Sequence, residues 1–292
     1  MIQGGMAGLE AFAWRIFYGS MICLALELLF PAGATSIVAR VRAGLFWTIY
    51  IAITVVFFTI FNRFWNGLQV RPLFDLHFAA AGGSRVSLLE LSRGIVLVLG
   101  VAMLGDFLYY WFHRWQHRSS LLWRFHEVHH SVRDLSAWNS NNHFTELIFR
   151  LPLIALPMAL LVHVGTGSVP TAVYILLGIQ GQFEHSATRV HFGFLRYLFA
   201  DNRFHRIHHS IEEQHRDRNF GSLTSIWDSI FGTACFPGCD EWPDAGIAGV
   251  DPPVRVSDYL LRPFARVDGG RRRFEATAAA LSGHAVKNGK YD

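Results

Sequence analysis

The sequence predicts an all-α integral membrane protein, with four to five transmembrane or membrane-embedded helices and a cytosolic helical cap that holds a polyhistidine dinuclear metal site. Three observations predict it. Of the 292 residues, 51% are hydrophobic and only 16% charged, too apolar for an ordinary soluble domain. The apolar residues gather in a few long runs. Thirteen of the fifteen histidines lie between His113 and His215, and most of them recur at short spacing.

The runs follow in order. Residues 12–30 carry Arg15 and Glu27 and stop at Pro31. Residues 44–61 hold no charge, and residues 94–112 hold one, Asp106. Residues 147–184 form a single apolar stretch interrupted by Gly165-Thr-Gly-Ser and Pro170, which reads as a hairpin of two short helices. A spanning helix needs ~20 apolar residues at ~1.5 Å each, so the hairpin arms cross tilted or enter only partway. No signal-peptide pattern is expected at the N-terminus.

The hairpin returns the chain to the side it left, which places the histidine clusters on one face. Arg114, Arg118, Arg124 and Arg133 flank it on one side and Arg189, Arg196, Arg203 and Arg206 on the other, marking that face as cytoplasmic. The connection 62–93 should then lie outside, yet it carries Arg63, Arg71, Arg85 and Arg93, so an interfacial path is the alternative. Residues 1–233 form the membrane-embedded unit, with histidine clusters at 113–146 and 185–209. Residues 234–292 form a cytosolic extension whose tail, from Gly269, lacks apolar periodicity and is expected to be mobile. The formal charge of +4 is scattered among Trp, Phe and Leu, which suits a membrane face and excludes a nucleic-acid partner. Cys23, Cys235 and Cys239 give no disulfide framework and fit a reduced, cytosol-facing chain.

The clusters are His113-Arg-Trp-Gln-His117, His126-Glu-Val-His129-His130 and His205-Arg-Ile-His208-His209, with His185 apart. A helix brings residues i, i+3 and i+4 onto one face, so each cluster can aim two or three imidazoles at one point. Imidazole is the commonest metal-ligating side chain, and nine histidines exceed the four ligands of one structural ion, implying two. Such ligands suit zinc, copper, iron or nickel and disfavour magnesium and calcium. Attack on an unactivated C–H bond of a lipid chain requires a redox-active ion, which zinc is not. Asp106, Tyr110, His113 and His117 form one stripe down a helix. A carboxylate inside an apolar helix there is expected to accept from the second ring N–H of a ligating histidine.

Asp106-Phe-Leu-Tyr-Tyr-Trp-Phe-His113-Arg-Trp-Gln-His117 and Leu-Trp-Arg-Phe-His126-Glu-Val-His129-His130-Ser together resemble the fatty acid hydroxylase/sterol desaturase superfamily. Phe-Glu-His185-Ser, His205-Arg-Ile-His208-His209-Ser, Asn219-Phe-Gly and Trp227-Asp-Ser-Ile-Phe-Gly-Thr233 extend the likeness, which begins near Glu27-Leu-Leu-Phe-Pro31. The resemblance implies an integral membrane di-iron oxygenase that hydroxylates or desaturates a lipid with O2. It implies two iron ions, with zinc as a possible substitute, and electrons from an external protein or reductant. Carried over by position, the ligands are His113, His117, His126, His129, His130, His185, His205, His208 and His209. His143-Phe-Thr-Glu146 stands where members often carry His-Pro-x-Glu, making His143 a tenth ligand or a supporting donor. Glu146 and Asn139 join Asp106 as residues expected to support the ligands. An ether-lipid monooxygenase is the alternative within the class, and a non-catalytic metal-binding membrane protein the alternative outside it.

The other histidines have ordinary readings. His163 is a hydrogen-bonded membrane residue, His77 and His284 are isolated and exposed, and His215 is a surface residue. His191 would bind metal only if the chain bent back. Trp111, Trp115, Trp123 and Trp138 are expected to form an interfacial belt.

Overall fold

The structure is a computed structural model and describes residues 2–76, 88–164 and 168–264. His77, His284, the hairpin tip at 165–167 and the tail from Gly269 lie outside the described residues.

Three long helices open the chain: α1 (Ile2–Leu29), α2 (Ile37–Leu68) and, after a short strand β1 (Phe74–Leu76), α3 (Leu88–Arg118). Ser36 starts α2 by accepting from the Ala39 N–H at 3.3 Å. Along its whole length α2 buries only Ala39, Ala43, Phe46 and Thr54, leaving Val38, Leu45, Val56, Ile60 and Phe64 exposed. A helix apolar on its outer face needs a non-aqueous surround. Both α2 and α3 are long and apolar enough to cross a membrane, whereas the apolar part of α1, Ile16–Leu29, is shorter. At ~1.5 Å per residue each exceeds the ~30 Å hydrocarbon layer by a few turns. In α3 the excess is at the C-terminal end, where burial concentrates on Asp106, Tyr110, Phe112, His113 and Gln116.

Ser119 turns the chain and caps α4 (Ser120–His130), which packs back on α3. The expected hairpin differs from two plain helices. Its first arm runs α5 (Glu146–Arg150), a π-helical turn (Leu151–Ala155), α6 (Leu156–Leu161) and then an extended strand β2 (Val162–Val164). Pro152 and Pro157 cannot donate backbone hydrogen bonds, which prevents one continuous α ladder there. The second arm, α7 (Ser168–Phe183), packs along α1 and against α3. Strands β1 and β2 pair in parallel, Phe74 opposite Val162. Residues 74–76 of the α2–α3 connection therefore meet the end of the hairpin's first arm.

The remaining chain wraps the histidine end of α3 and α4. Asp201 caps α8 (Asn202–His208), every residue of which is buried, and α9 (Ile226–Ile230) and α10 (Val256–Leu261) follow. Tyr259 of α10 packs with Phe46, Val128 and Val132, joining α2, α4 and the C-terminal part. Beside apolar residues such as Phe204, Ile207 and Phe220, the interior of this cap holds many buried polar side chains, the histidines among them.

Candidate metal centre

Nine imidazoles meet inside the cap and separate into two groups. One holds His113 and His117 from the end of α3, His126 and His130 from α4, and His208 from α8. The other holds His129, His185, His205 and His209. Within each group one nitrogen from every ring lies within 4.8 Å of those of the others. The adjacent pairs His129-His130 and His208-His209 feed one ring to each group, which is how three short clusters make two sites.

The rings of the first group are steered from behind. His113 Nδ1 donates to the Phe220 carbonyl at 2.8 Å, and His208 Nδ1 donates to the Arg218 carbonyl at 2.7 Å. His117 Nδ1 meets Asp217 at 3.3 Å and His126 Nδ1 meets Glu146 at 3.3 Å. Burial pushes the Glu146 carboxyl up, and Arg150 at 3.1 Å and the Gln116 amide offset only part of that rise. A carbonyl or an ionised carboxylate can only accept, so His113, His208 and His117 carry their proton on Nδ1 and turn a bare Nε2 inward. Yet His113 Nε2 stands 3.0 Å from His126 Nε2, and His117 Nε2 stands 3.2 Å from His130 Nε2. Two lone pairs that close repel unless a cation lies between them. Ligands ~2.1 Å from one ion and ~90° apart are about 3.0 Å from each other, the spacing found here.

The second group shows the same convergence. His185 Nδ1 donates to the Gly181 carbonyl at 3.1 Å, while its Nε2 lies 3.3 Å from His129 Nε2 and 3.1 Å from His205 Nε2. Neither ring nitrogen of buried His209 has a hydrogen-bond partner, nor do Nδ1 of His129 and His205. Burial, then the neighbouring imidazoles, hold His129, His130, His205, His208 and His209 well below the usual imidazole range, and burial brings His185 to about 4. Neutral rings with orphaned, inward-facing nitrogens are the donor set that divalent transition ions take. The residues fit two such ions.

A strained loop aims the first group. Asp217 and Asn219 adopt left-handed backbone angles, φ 57° and 58°, and bracket Arg218, so the 218 and 220 carbonyls face the rings. Asn219 locks this shape by donating to Phe204 and Cys235 carbonyls at 2.7 and 2.8 Å and accepting from Cys235 N at 2.7 Å. Asp228 accepts from the Phe220 and Gly221 N–H groups at 2.8 and 2.7 Å. A Cβ at Gly221 would fall 2.1 Å from the Thr224 carbonyl, so only glycine fits. Sequence reasoning gave Asp217, Asn219 and Asp228 no role. The Asn-Phe-Gly and Trp-Asp strings were visible, but nothing in their spacing says that they grip a loop carrying ring acceptors.

Several expectations are corrected. Asp106 bonds to no imidazole. Its carboxylate accepts from the N–H groups of Ser222, Leu223 and Thr224 at 3.3, 2.8 and 3.1 Å and from the Thr224 hydroxyl at 3.0 Å. It holds the loop that holds His113, one step further back than the helical stripe suggests. Asn139 likewise bonds to Asp134, Ser136 and Tyr259 rather than to a ligand. His143 lies outside both groups, its Nε2 donating to Leu260 O at 3.2 Å and its Nδ1 paired with Thr145 Oγ1 at 2.7 Å. His215 is buried, between Ser210 at 3.0 Å and Glu241 at 3.1 Å, because the 210–215 turn folds under the 238–241 loop. His163 is exposed on β2 and pairs with Asp75 at 2.8 Å. His191, also exposed, accepts from Gly193 N. Trp123 packs on His117 and His130, and Trp138 donates to the Ser20 carbonyl, so only Trp111 and Trp115 stand out from the surface as belt residues do.

Residues 98–233 match the fatty acid hydroxylase family model. Over that stretch, and with the relatives that follow, the chain is similar to the fatty acid hydroxylase/sterol desaturase superfamily. It is similar to ornithine lipid hydroxylase OlsE of Rhizobium tropici, 33% identical over 175 residues, covering 58% of this chain and 50% of that one. It is similar to human (Homo sapiens) alkylglycerol monooxygenase, 31% identical over 134 residues, covering 45% of this chain and 29% of that one. It is also similar to very-long-chain aldehyde decarbonylase GL1-6 of Oryza sativa subsp. indica, 33% identical over 202 residues, covering 62% and 31%. The chain thus spans half or less of the length of these relatives. No solved structure matches it.

Proposed function

We propose that the protein is a membrane di-iron oxygenase that hydroxylates, or desaturates, a lipid with O2. The observation that carries this reading is the pair of inward-facing imidazole groups at the end of two apolar helices. His113, His117, His126, His130 and His208 hold one iron, and His129, His185, His205 and His209 the other. Bound there, iron supplies the redox chemistry that activates O2 for attack on an unactivated C–H bond. The chain's own residues do the rest. Buried acceptors fix each ring's proton on the outer nitrogen, and the dry cap keeps bulk water from the ions. Helices α3 and α7 run from the apolar layer to the histidines, giving a lipid chain a route from the bilayer.

In this reading α1, α2, α3 and the 147–184 hairpin make four to five membrane elements, residues 1–233 form the membrane-embedded unit, and 234–292 a C-terminal extension. The cap faces the cytoplasm, supported by the arginines that flank it. Electrons come from a separate carrier or reductant. The names of the relatives favour a polar lipid, and the alkylglycerol monooxygenases support an ether lipid as the second reading.

Metal analysis of the purified full chain, followed by O2 uptake with candidate lipids and mass spectrometry of the products, tests the proposal. The expected result is two ions per chain and a product carrying one added oxygen or lacking two hydrogens. A fully iron-loaded protein that consumes no O2 with any lipid would leave only a structural metal role.

A further inference from the structure

Of the nine clustered histidines, His185 alone lies on neither a helix nor a helix cap. It follows the end of α7 in a turn, so its aim depends on what holds residues 186–189. The end of α1 holds them. Glu27, on the last turn of α1 and only 3% exposed, brings three segments to one carboxylate. Its Oε1 accepts from Ala187 N at 3.0 Å and Ala137 N at 2.9 Å, and its Oε2 accepts from Arg40 Nη2 at 2.7 Å. Beside it Ala32 N donates to Ala187 O at 3.0 Å, Arg189 N to Phe30 O at 2.8 Å, and the Thr188 hydroxyl to Phe30 O at 2.9 Å. Two turns earlier, a Cβ at Gly19 would stand 3.4 Å from the Gln182 side chain and 3.5 Å from Ile179 Cα, so α1 lies close against α7.

The same segment carries the constraint to α8. Buried Asn202, the first residue of α8, donates to the Ser186 and Thr188 carbonyls at 3.2 and 2.7 Å. That helix carries His205 and is capped by His209. Glu27, residues 186–188 and Asn202 therefore form one chain of bonds from α1 to three of the four ligands. A buried N–H that loses its acceptor must find another, or its backbone must move. We infer that Glu27 is a positioning residue of the four-histidine group, setting His185 against α8 through the backbone and not through any ring. This rests on that group being a metal site and is independent of which lipid is oxidised. The five-histidine group, whose rings meet acceptors of their own, should not feel it.

The full chain in bilayer discs is loaded with Co(II), whose absorption reports its ligand arrangement, and titrated with a chelator. His208→Ala leaves the four-histidine group intact and His209→Ala the five-histidine group, so each site is read alone. Within His208→Ala, adding Glu27→Leu should weaken Co(II) retention about tenfold and alter the absorption; within His209→Ala it should change neither. Arg40→Met removes the ion pair but leaves both N–H bonds to Glu27, so it should lower the melting temperature with Co(II) retention unchanged. Because removal of the carboxylate leaves Arg40 buried without its partner, the acceptor is tested again in the Arg40→Met background. There Glu27→Gln, which still offers an oxygen to Ala187 N, should retain Co(II), and Glu27→Leu should not. Retention that follows the melting temperature across these variants, or that falls equally at both sites, overturns the inference and leaves Glu27 a staple of the fold. If His208→Ala binds no Co(II), the four-histidine metal site itself falls, and the inference with it.

Discussion

The two histidine groups share a core, two adjacent-histidine pairs and nearly the same depth, but differ in what stands behind their rings. In the five-histidine group, two carbonyls and two carboxylates hold Nδ1 of His113, His208, His117 and His126. In the four-histidine group, the Gly181 carbonyl holds His185, and His209 uses neither nitrogen. The first group is therefore aimed before an ion arrives and carries anionic charge next to its rings. The second has fewer outer partners, the Gly181 carbonyl at 3.1 Å and Glu184 at 3.7 Å, both on His185 Nδ1. Outer partners that orient a ring and raise its basicity typically change affinity by about 10–100-fold, so the two centres should not hold metal equally.

The largest expected effects come from breaking one centre at a time. His208→Ala and His209→Ala each remove one ligand from a different group, and both should abolish lipid oxidation with loss of about one ion per chain in metal analysis. Full activity in either variant at full metal loading would show that its group is not the working centre. Graded chelation sharpens the contrast next. The four-histidine site should empty at about 10–100-fold lower chelator activity than the five-histidine site, giving two steps of release. A single step would mean that the outer partners do not distinguish them.

Glu146→Gln is expected to narrow that gap by weakening the first centre about tenfold and leaving the second step where it was. Asp106→Asn acts one step further out. It keeps the shape but weakens bonds to the 222–224 turn, so we expect about 1–3 kcal/mol lower stability and a modest loss of first-site affinity, read by thermal unfolding and metal titration. An unaffected melting temperature would remove Asp106 from the support of the loop. The smallest effect is expected for His143→Gln, because His143 lies in neither group, and neither chelation step should move.

What the sequence shows and what it hides divide along chemical lines. Apolar run length and charge spacing are local quantities, so the long helices α2 and α3 and the helical clusters at α4 and α8 were legible. The π turn was not, because proline marks where a ladder fails but not how the backbone repairs it. The Asp106 stripe was real as a stripe, yet its target was misread. Periodicity says which face a residue occupies and nothing about the chain, more than a hundred residues later, that covers that face.

By itself, then, the sequence determined that the chain is helical, apolar in long segments and supplied with clustered imidazoles at i, i+3 and i+4, since these follow from residue type and helical period. Only the tertiary structure decided which histidine joins which group. It alone turned Asp217 and Asn219 into a left-handed loop and put Arg150 between Glu146 and Tyr109. Those outcomes depend on contacts between residues far apart in the chain, where the close packing of α3, α4, α8 and the 217–224 loop leaves each ring one acceptor to face and one direction to point.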